Sequence, residues 1–412
     1  MLQSQLFTKT SKDSLSDSDS INADLLTRAG FIGKTMAGVY SFLPLGYRVI
    51  RKIEQIVREE MDGIGGQEIL MSALAPKTLW EKTGRWNSVD VLFKVPAAGD
   101  QEYALNPTHE EVVVPLARTF LRSYRDLPFS CYQIQTKFRN ELRAKSGVLR
   151  GREFIMKDLY SFHRDEADLD RFYGVAQGAY DRIFERLGLG DRTYLTYASG
   201  GTFSKYSHEY QVLLPQGEDQ IYVSVEAEKQ GKRIAINKEI FEEGTTVCPA
   251  TGGKEFRPER ASEAGNIFKL GTKFSEPFAL QFTDEAGKVR TPVMGCYGIG
   301  ISRIMGVLAE AFGDKDGLRW PEAVAPFRTH IVPLAKSRDE ESWKVAEQLS
   351  QKLPESLLDD RIDLSTGARF ADSDLIGISR RIVISPKSLK AGGVEVRERM
   401  TGASEILAVD RL

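Results

Sequence analysis

Two long segments of the chain carry apolar residues at helical spacing. Residues 45–61 place Leu45, Val49, Ile53, Ile56 and Val57 between charged positions, and the pattern stops at a cluster of glycines. A second segment repeats the same spacing with Leu169, Phe172, Tyr173, Ala176, Tyr180, Ile183, Phe184 and Leu187. Both are predicted to be amphipathic helices. Between them we expect a strand at 68–74 and a loop entering a helix within 108–124.

A two-residue period dominates residues 129–163. In its first half, Tyr132, Ile134, Thr136 and Phe138 alternate with the polar residues Gln133, Gln135, Lys137, Arg139 and Glu141. After a glycine-containing loop, a second strand is predicted to carry Arg152, Phe154, Met156, Asp158, Tyr160 and Phe162 on one face. The pattern predicts a long antiparallel hairpin whose polar faces line a cleft.

The remaining chain divides into two kinds of pattern. Residues 216–260 are charged, contain glycine and lack a clear period, which indicates an inserted element or a loop. From about residue 326 the pattern becomes strand, helix, strand, at 330–334, 340–353 and 381–385. We therefore predict a last domain boundary near residues 321–326, and we find no internal repeat.

Composition narrows the class of protein. With 412 residues and 41% hydrophobic content, the chain is long enough for two or three packed domains. No stretch approaches 18 apolar residues and the first 20 residues are polar, so neither a membrane span nor an export signal is expected. Three scattered cysteines favour a reducing, cytoplasmic location. Since 56 basic residues face 58 acidic ones, nucleic acid would have to bind a local basic patch.

Candidate chemistry lies in two motifs. Arg139 and Glu141, two apart on a strand, point the same way and can address a phosphate and an amine of one ligand, although such a pair alone is typical of a surface ion pair. Farther along, VMGCYGIG at 293–300 leads into a helical pattern with Arg303 in its first turn. A glycine-rich strand end permits close approach of a ligand, and a helix start favours anions. The two motifs together indicate a nucleotide site.

At the level of motifs the chain resembles the bacterial-type prolyl-tRNA synthetases, which belong to class II of the aminoacyl-tRNA synthetases. The resemblance rests on NPTHEE at 106–111, YQIQTKFRNE at 132–141, REFIMKDLYSFH at 152–163, SHEYQVL at 207–213 and GCYGIGISR at 295–303. It implies an α+β fold with an antiparallel-sheet catalytic domain and flanking helices, followed by a C-terminal α/β anticodon-binding domain. The implied divisions are 1–224 and 263–324 for the catalytic domain, 225–262 for a short remnant insertion and 325–412 for the anticodon-binding domain.

The resemblance also implies substrates, cofactors and roles. ATP with Mg²⁺ would be bound through Arg139 at the α-phosphate, Glu141 at the adenine amino group, Phe154 against the base and Arg303 at the phosphates. Gln211 would face the ribose, and Arg152 and Gly300 would complete the nucleotide site. Proline would be held by Thr108 and Glu110, with Arg139 nearby, in a pocket formed by Met156, Asp158, Tyr160, Phe162, His208, Cys296 and Gly298. Arg139 and Arg303 would be the catalytic residues.

Further expectations concern partners. The resemblance implies binding of tRNA(Pro) through Arg380, Arg381, Lys387 and Lys390, and a homodimer whose geometry is affected by Ser72 at a position where proline is common. Because 224–262 is too short for the editing domain of many bacterial relatives, cis-editing of alanyl-tRNA is expected to be absent, and a separate trans-editing protein is possible. We therefore expect measurable activation of alanine. Asn266 stands where relatives often have histidine.

Several alternatives stay open at this point. A retired paralogue that binds tRNA or a protein without catalysis is one, and a sister synthetase for threonine, glycine, histidine or serine is another. Cys296 is expected to line the pocket rather than act as a nucleophile, since no activating partner is evident. Cys248 starts half of a zinc-knuckle pattern, but the remaining ligands are missing, so no metal site is expected in the protein.

Overall fold

The computed structural model describes residues 1–13, 20–144, 146–201, 203–204 and 206–412. The helices are α1 (Ile21–Arg28), α2 (Pro44–Gly63), α3 (Lys77–Lys82), α4 (Glu110–Phe120), α5 (Glu166–Arg186), α6 (Val225–Lys229), α7 (Ile301–Phe312), α8 (Glu341–Lys352), α9 (Thr366–Ile376) and α10 (Pro386–Lys390). The first twelve strands in chain order are β1 (Ile32–Met36), β2 (Val39–Phe42), β3 (Gly66–Glu68), β4 (Leu74–Pro76), β5 (Phe93–Pro96), β6 (Glu102–Leu105), β7 (Phe129–Phe138), β8 (Glu153–His163), β9 (Thr193–Ser199), β10 (Tyr206–Leu213), β11 (Asp219–Ser224) and β12 (Ile234–Asn237). They are followed by β13 (Phe256–Gly271), β14 (Phe282–Thr283), β15 (Val289–Arg290), β16 (Val293–Gly300), β17 (Thr329–Pro333), β18 (Ser356–Leu358), β19 (Arg380–Ile384), β20 (Val394–Glu398) and β21 (Ser404–Leu407).

The chain forms two compact units, of which the larger comprises residues 37–39 and 54–307. Its main feature is a nine-stranded sheet in the order β10-β9-β12-β11-β13-β16-β8-β7-β3, with β10 also pairing with β13. The pairs are antiparallel except β12 with β9 and β3 with β7. This sheet agrees with the antiparallel-sheet catalytic fold that the sequence predicts, and its centre carries the two candidate motifs.

The predicted hairpin is confirmed as β7 and β8, and their register assigns each side chain to a face. Gln133 pairs with Asp158 and Gln135 with Met156, while β16 continues the same rows by pairing Gly298 with Asp158. Because side chains alternate along a strand, residues in these rows share one face. We call it the site face, and it is the polar face that the alternation predicts.

Helix α5 covers the opposite face of the sheet, which we call the back face. Apolar residues at helical spacing bury this helix, as predicted, and two polar contacts fasten it. Lys157 donates to the hydroxyl of Tyr180 over 2.8 Å and to the carbonyl of Tyr297 over 2.9 Å. Tyr180 in turn donates to the carbonyl of Gly298. The site face therefore rests on strands that are fixed from behind.

Two predictions of secondary structure are wrong in detail. Residues 68–74 do not form one strand, because the segment between β3 and β4 bonds to side chains of β7 instead of a continuous ladder: Met71 N donates to the Gln133 side chain, and Gln135 donates to the Met71 carbonyl. For residues 216–260, expected to be an inserted element or a loop, the loop is wrong and the inserted element stays a prediction. They supply β11, α6, β12 and the start of β13, and their apolar residues Ile221, Val223 and Ala235 are buried in the sheet.

The second unit comprises residues 1–36, 40–53 and 308–412. A five-stranded sheet in the order β18-β17-β19-β20-β21 carries helix α8, as the strand, helix, strand pattern predicts, although the short β18 was not expected. Buried charge supports this unit, since Arg369 donates to Asp359 over 3.1 Å and to the carbonyl of Pro333. The first 53 residues belong largely to this unit, whereas the predicted boundaries at 224, 262 and 324 stay predictions. Among the helices of the described residues, none is long and apolar enough to span a bilayer.

Candidate active site

Arg139 and Arg303 address the same region of the site face. Arg139 directly follows β7, where its main-chain N–H donates to Arg152 O over 2.8 Å and continues the hairpin ladder, and its guanidinium lies 5.1 Å from the centre of the Phe154 ring. Burial and the positive charge of Arg303 lower the pKa of Arg139, whereas Glu263 and Glu141 oppose this shift. Neighbouring cations of this kind favour an anionic ligand.

Main-chain carbonyl groups hold Arg303 at the start of α7. Its guanidinium donates to Leu149 O over 2.7 Å and to Glu263 O, and it lies 3.5 Å from the carboxylate of Glu263. Gly300 ends β16 just before this helix, and a Cβ there would lie 3.1 Å from Cβ of Arg303. A side chain at position 300 would thus crowd Arg303. The predicted helix with Arg303 in its first turn is confirmed as α7.

The loop after β7 is fixed by a second pair of arginines. Glu141 accepts from Arg150 over 2.9 and 3.1 Å. Arg152 donates to Glu141 O over 2.9 Å and to Ala37 O over 2.8 Å. Arg152 thus ties backbone segments together, and Glu141 lies in the loop beyond Phe138, where its N–H donates to Arg139 O over 2.7 Å. The prediction that Arg139 and Glu141 both lie on a strand is therefore wrong, because the chain turns directly after β7.

Gln211 lies in an acidic part of the site face. Its amide donates to Glu209 and Asp219, each over 2.9 Å, and its buried Oε1 has no partner. Burial and the nearby Glu263 carboxylate raise the pKa of Glu209 to about 8. A buried carboxylate that lies beside a second negative charge is stabilised when a cation binds to it. Among the described residues, no group of three or more His, Cys, Asp or Glu has the arrangement of a metal site.

Thr108 and Glu110 meet at the start of α4. Thr108 donates to Glu110 over 2.5 Å, and the thiol of Cys296 donates to the other oxygen of Glu110 over 3.2 Å. Burial, followed by the adjacent Glu110, raises the pKa of Cys296 well above its usual range. Cys296 therefore carries a neutral thiol beside Glu110, and its role in lining the pocket stays a prediction. Glu110 has a buried carboxylate, a group suited to a cationic nitrogen.

Sequence reasoning missed Arg85, the cation that accompanies these carboxylates. Arg85 donates to Glu111 over 2.8 and 3.1 Å and lies 3.7 Å from Glu110. Its guanidinium is enclosed by the rings of Trp80, Phe203 and Phe274, at 5.3, 4.8 and 5.2 Å from their centres. Burial raises the pKa of Glu111 to about 7. One arginine faces two glutamates, and no local sequence pattern reveals that contact.

Asp158 and Tyr160 lie deeper on the same face. Asp158 accepts from Gln133 over 3.0 Å and from the hydroxyl of Tyr160 over 2.9 Å. Met156 and Gly298 occupy the neighbouring rows, and a Cβ on Gly298 would lie 3.8 Å from both Met156 Sδ and the carbonyl of Asn266. Asn266 lies in the Gly298 row, donates to Glu263 and has a buried oxygen without a partner. Asp158, Met156 and Gly298 thus lie on the site face between the Cys296 row, next to Glu110, and the end of β7, next to Arg139.

Two predicted pocket residues lie elsewhere. His208 is on the back face, where it contacts Tyr173 of α5 over 2.8 Å, and burial with the nearby Lys269 lowers its pKa to about 4. The pairing of His208 with Ile267, one residue from Asn266, puts it on the other side of the sheet. Phe162 is fully buried against Phe129 in the apolar core, with ring centres 4.6 Å apart. Neither residue is included in the site proposed below.

The predicted RNA-contacting residues lie in the smaller unit with unequal exposure. Lys387 and Lys390 are exposed on α10, whereas Arg380 is paired with Glu398 at 3.0 Å. Arg381 is buried, donates to Asp374 over 3.0 Å and lies over the ring of Phe370. Arg381 therefore serves packing and is withdrawn from the predicted RNA surface.

Comparison with known proteins decides the family. The family model for the class II tRNA synthetase core domain (G, H, P, S and T) matches residues 93–312, and an anticodon-binding-domain model matches residues 328–412. Proline–tRNA ligase of Anaplasma phagocytophilum (strain HZ) is 39% identical over 425 residues, covering 100% of this chain and 98% of the relative. The chain belongs to the proline–tRNA ligase family. It is a class II aminoacyl-tRNA synthetase, as its motifs predict.

A longer relative and a solved structure add to this comparison. Proline–tRNA ligase of Syntrophomonas wolfei is 33% identical in an alignment of 557 positions that covers 100% of this chain and 97% of the relative. Giardia lamblia prolyl-tRNA synthetase in complex with prolyl-adenylate has a TM-score of 0.76 at 21% identity, with 96% of this chain and 77% of that chain covered. The structural likeness supports the class II fold, and the family rests on the sequence relatives.

Proposed function

We propose that the chain activates L-proline with ATP and transfers the prolyl group to the 3′ end of tRNA(Pro). The observation that carries this proposal is that Arg303 and the buried carboxylate of Glu110 both lie close enough to Arg139 to act on its charge. The paired guanidinium groups suit a triphosphate, and the carboxylate suits the cationic nitrogen of a small imino acid. Membership of the proline–tRNA ligase family supports the same substrates.

The first chemical step needs position and charge more than a base. A carboxylate oxygen of proline attacks the α-phosphorus of ATP, the bond to the bridging oxygen breaks, and pyrophosphate leaves. Because the proline carboxylate is already ionised, no proton has to be removed. Arg139 and Arg303 would stabilise the charge on the phosphoryl oxygens, while Phe154 stacks on adenine and Glu141 accepts from its amino group. Arg152, Gly300 and Gln211 would complete the nucleotide site.

The donor set fits Mg²⁺ that arrives with ATP. The negative charges of Glu209 and Glu263 repel each other, and a bound divalent cation would reduce that repulsion. Mg²⁺ is typically bound by one or two carboxylates together with substrate phosphates and waters. When bound, the ion would neutralise phosphate charge during pyrophosphate departure. Glu209 and Glu263 are the residues of this chain that would hold it.

Proline would bind between Glu110 and the wall formed by Asp158 and Gly298. The Thr108 hydroxyl fixes the orientation of Glu110, whose carboxylate would receive the cationic nitrogen of proline. Met156, Tyr160 and Cys296 line the same space. Enclosure of the ring by these side chains would exclude water from the reacting carboxylate.

The second step transfers the prolyl group to RNA. A ribose hydroxyl at the end of tRNA(Pro) attacks the carbonyl carbon of the adenylate, and AMP leaves. Lys387 and Lys390, which are exposed on α10, and Arg380 would contact the RNA backbone. No side chain is assigned as a base for this step.

A homodimer is proposed at the open edge of the large sheet. Strand β3 is the last strand in the order, and Leu70 just after it is 76% exposed. Beside it lies a groove of about 450 Å³ whose lining includes Leu116 and the 73% exposed Phe120. Exposed apolar residues next to an edge strand favour association with a second copy. Ser72 belongs to this region.

Absence of cis-editing is the last part of the proposal. The alignment with the Syntrophomonas wolfei relative exceeds the 412 residues of this chain by 145 positions, which are therefore missing here. Residues 225–262, where the insertion of longer relatives is expected, form α6, β12 and part of β13 and pack into the main sheet. That segment leaves no separate domain to hydrolyse alanyl-tRNA, and removal of mischarged tRNA would fall to a different protein.

Proline-dependent exchange of pyrophosphate into ATP tests the proposal. We expect exchange with proline and none comparable with threonine, glycine, histidine or serine. Arg139→Ala should reduce kcat for exchange by about 10²–10³-fold, the usual cost of one transition-state donor. Arg171→Ala, an exposed arginine on α5, is the matched control and should retain full exchange.

Each other outcome has a defined meaning. Exchange with another amino acid would assign a sister synthetase, and exchange with none would favour the catalytically retired paralogue. Full activity of a folded Arg139→Ala protein would remove Arg139 from the mechanism. Unchanged thermal unfolding of that variant separates a lost contact from a lost fold.

A further inference from the structure

A fully buried lysine lies behind the proposed proline pocket. Lys137 is on the site face of β7, two residues before Arg139, and its side chain has no exposure to solvent. Its ammonium lies 2.8 Å from Oδ1 of Asp158 and 2.6 Å from Nδ1 of His109. An ammonium in such surroundings is costly unless it is paired, so its presence indicates a specific task.

The histidine beside this lysine is held in one tautomer. Nε2 of His109 lies 3.0 Å from the carbonyl of Ser72, an acceptor only, so Nε2 carries the proton and Nδ1 accepts from Lys137. Burial and the charge of Lys137 lower the pKa of His109 to about 4. A neutral His109 therefore joins Lys137 to the backbone at Ser72, and its own backbone begins α4.

A chain of hydrogen bonds leads from Lys137 to Glu110. Asp158, the anion of the ion pair, accepts from the Tyr160 hydroxyl over 2.9 Å. That hydroxyl accepts from the backbone N–H of His109 over 2.8 Å and lies 3.4 Å from the Thr108 hydroxyl. Thr108 then donates to Glu110. Each group from Lys137 to Glu110 is thus oriented by its neighbour.

We propose that Lys137 is a positioning residue for the amino-acid substrate, one that keeps the Asp158 and Tyr160 side chains and the 108–110 segment in the arrangement that binds proline. This inference rests on the proposed function of the pocket. The lysine acts through Asp158 and His109 and does not touch the substrate. It should therefore affect proline far more than ATP, even though it is close in sequence to Arg139.

Lys157 provides a matched control on the neighbouring strand. It is equally buried and also an interior ammonium, but it lies on the back face and bonds to Tyr180 and Tyr297. Removal of either lysine takes one buried amino group from the same sheet. Of the two, only Lys137 lies within bonding distance of the Asp158 and His109 side chains. A difference between the two variants therefore separates action through these side chains from general packing.

Steady-state pyrophosphate exchange with full-length protein measures the effect. Lys137→Met should raise KM for proline at least tenfold and leave KM for ATP within twofold, whereas Lys157→Met should leave both within twofold. Adding Asp158→Asn to Lys137→Met should lower KM for proline at least threefold relative to Lys137→Met alone. The reason is that the amide replaces an unpaired buried carboxylate and still accepts a hydrogen bond from Tyr160. A purely structural role would change the amount of active enzyme and neither KM.

The outcomes separate this inference from the proposed function. Wild-type protein without proline-dependent exchange would overturn the function itself. Active wild type with Lys137→Met unchanged in KM for proline, or with KM for ATP raised equally, would overturn the role of Lys137. If Lys137→Met alone does not fold, the double variant Lys137→Met with Asp158→Asn is compared with the single variant Asp158→Asn. Values of KM for proline that agree within twofold between these two proteins support action through Asp158, and a larger difference refutes it.

Discussion

Gly298 offers a test at the scale of a single residue. A methyl group there would project between Met156 and the carbonyl of Asn266, with 3.8 Å to each, so it fits the protein and takes space from the ligand. We expect Gly298→Ala to lower kcat/KM for proline at least tenfold, because one extra methyl group in a filled pocket costs ~1–3 kcal/mol. Exchange kinetics and the thermal unfolding midpoint of the same preparation measure the two effects.

Gly174→Ala is the control for this substitution. Gly174 lies in α5, and a Cβ there meets no atom within 4 Å. Alanine in a helix is favoured over glycine by ~1 kcal/mol, so this variant should be slightly more stable with unchanged kinetics. A Gly298→Ala enzyme with normal kcat/KM for proline would show that proline does not occupy this part of the site face.

The sequence predicts those parts of the site that follow from the alternation of side chains along a strand or from a local motif. Arg139, Phe154 and Asp158 fall on one face because the alternation is regular through both strands. His208 was misplaced because one residue of register in β10 turns a side chain to the other face. Lys137 was visible only as a polar position, since its partners Asp158 and His109 come from other elements. Arg381 looked like an exposed cation, and only the structure places it against Asp374.

At the scale of elements, Lys157 fastens α5 to the back of the sheet and makes that contact depend on pH. Burial lowers the pKa of Lys157 from 10.5 to about 7. Between these values the unfolded chain binds a proton that the folded protein has released, so the contribution of Lys157 to stability increases as pH rises from 7. The free energy of unfolding of wild type relative to Lys157→Met should grow by up to about 1.4 kcal/mol per pH unit. Urea unfolding at pH 7.5, 8.5 and 9.5 measures this slope.

Parallel curves for the two proteins would contradict that expectation. They would mean that the ammonium stays charged in the fold, with the hydroxyl of Tyr180 and the carbonyl of Tyr297 sufficient to stabilise it. The comparison with Lys157→Met removes the contribution of the other titrating groups, because those groups are common to both proteins.

Elements with strong local signals were predictable and those defined by distant pairing were not. Helices α2 and α5 follow from apolar spacing, and the β7–β8 hairpin follows from alternation. Strands β11 and β12 carry no such signal, since β12 pairs in parallel with β9 and β11 pairs with β13. Each strand has a run of only three apolar residues, and such short runs resemble a loop until the partner strands are known.

The whole molecule differs from the longer relatives by a missing length of chain, and this has a consequence for accuracy. A pocket that encloses proline cannot sterically exclude alanine, and each missing methylene costs only ~1–3 kcal/mol of binding. We therefore expect alanine-dependent pyrophosphate exchange at high alanine concentration. Absence of exchange at high alanine would contradict the expectation and would mean that the pocket discriminates more strongly than the missing methylene groups account for.

The stability of alanyl-tRNA(Pro) in the presence of this protein tests whether editing is absent along with the missing length of chain. Alanyl-tRNA(Pro) prepared separately should keep its alanine when incubated with this protein, apart from the hydrolysis seen in buffer, because residues 225–262 form only α6, β12 and the start of β13. The Syntrophomonas wolfei relative, which has 145 additional aligned positions, is the natural comparison. Deacylation by this chain above the buffer rate would place an editing activity within the catalytic fold itself. Since proline activation and alanine removal are measured in separate assays, such a result would leave the synthetic reaction untouched and revise only the account of accuracy.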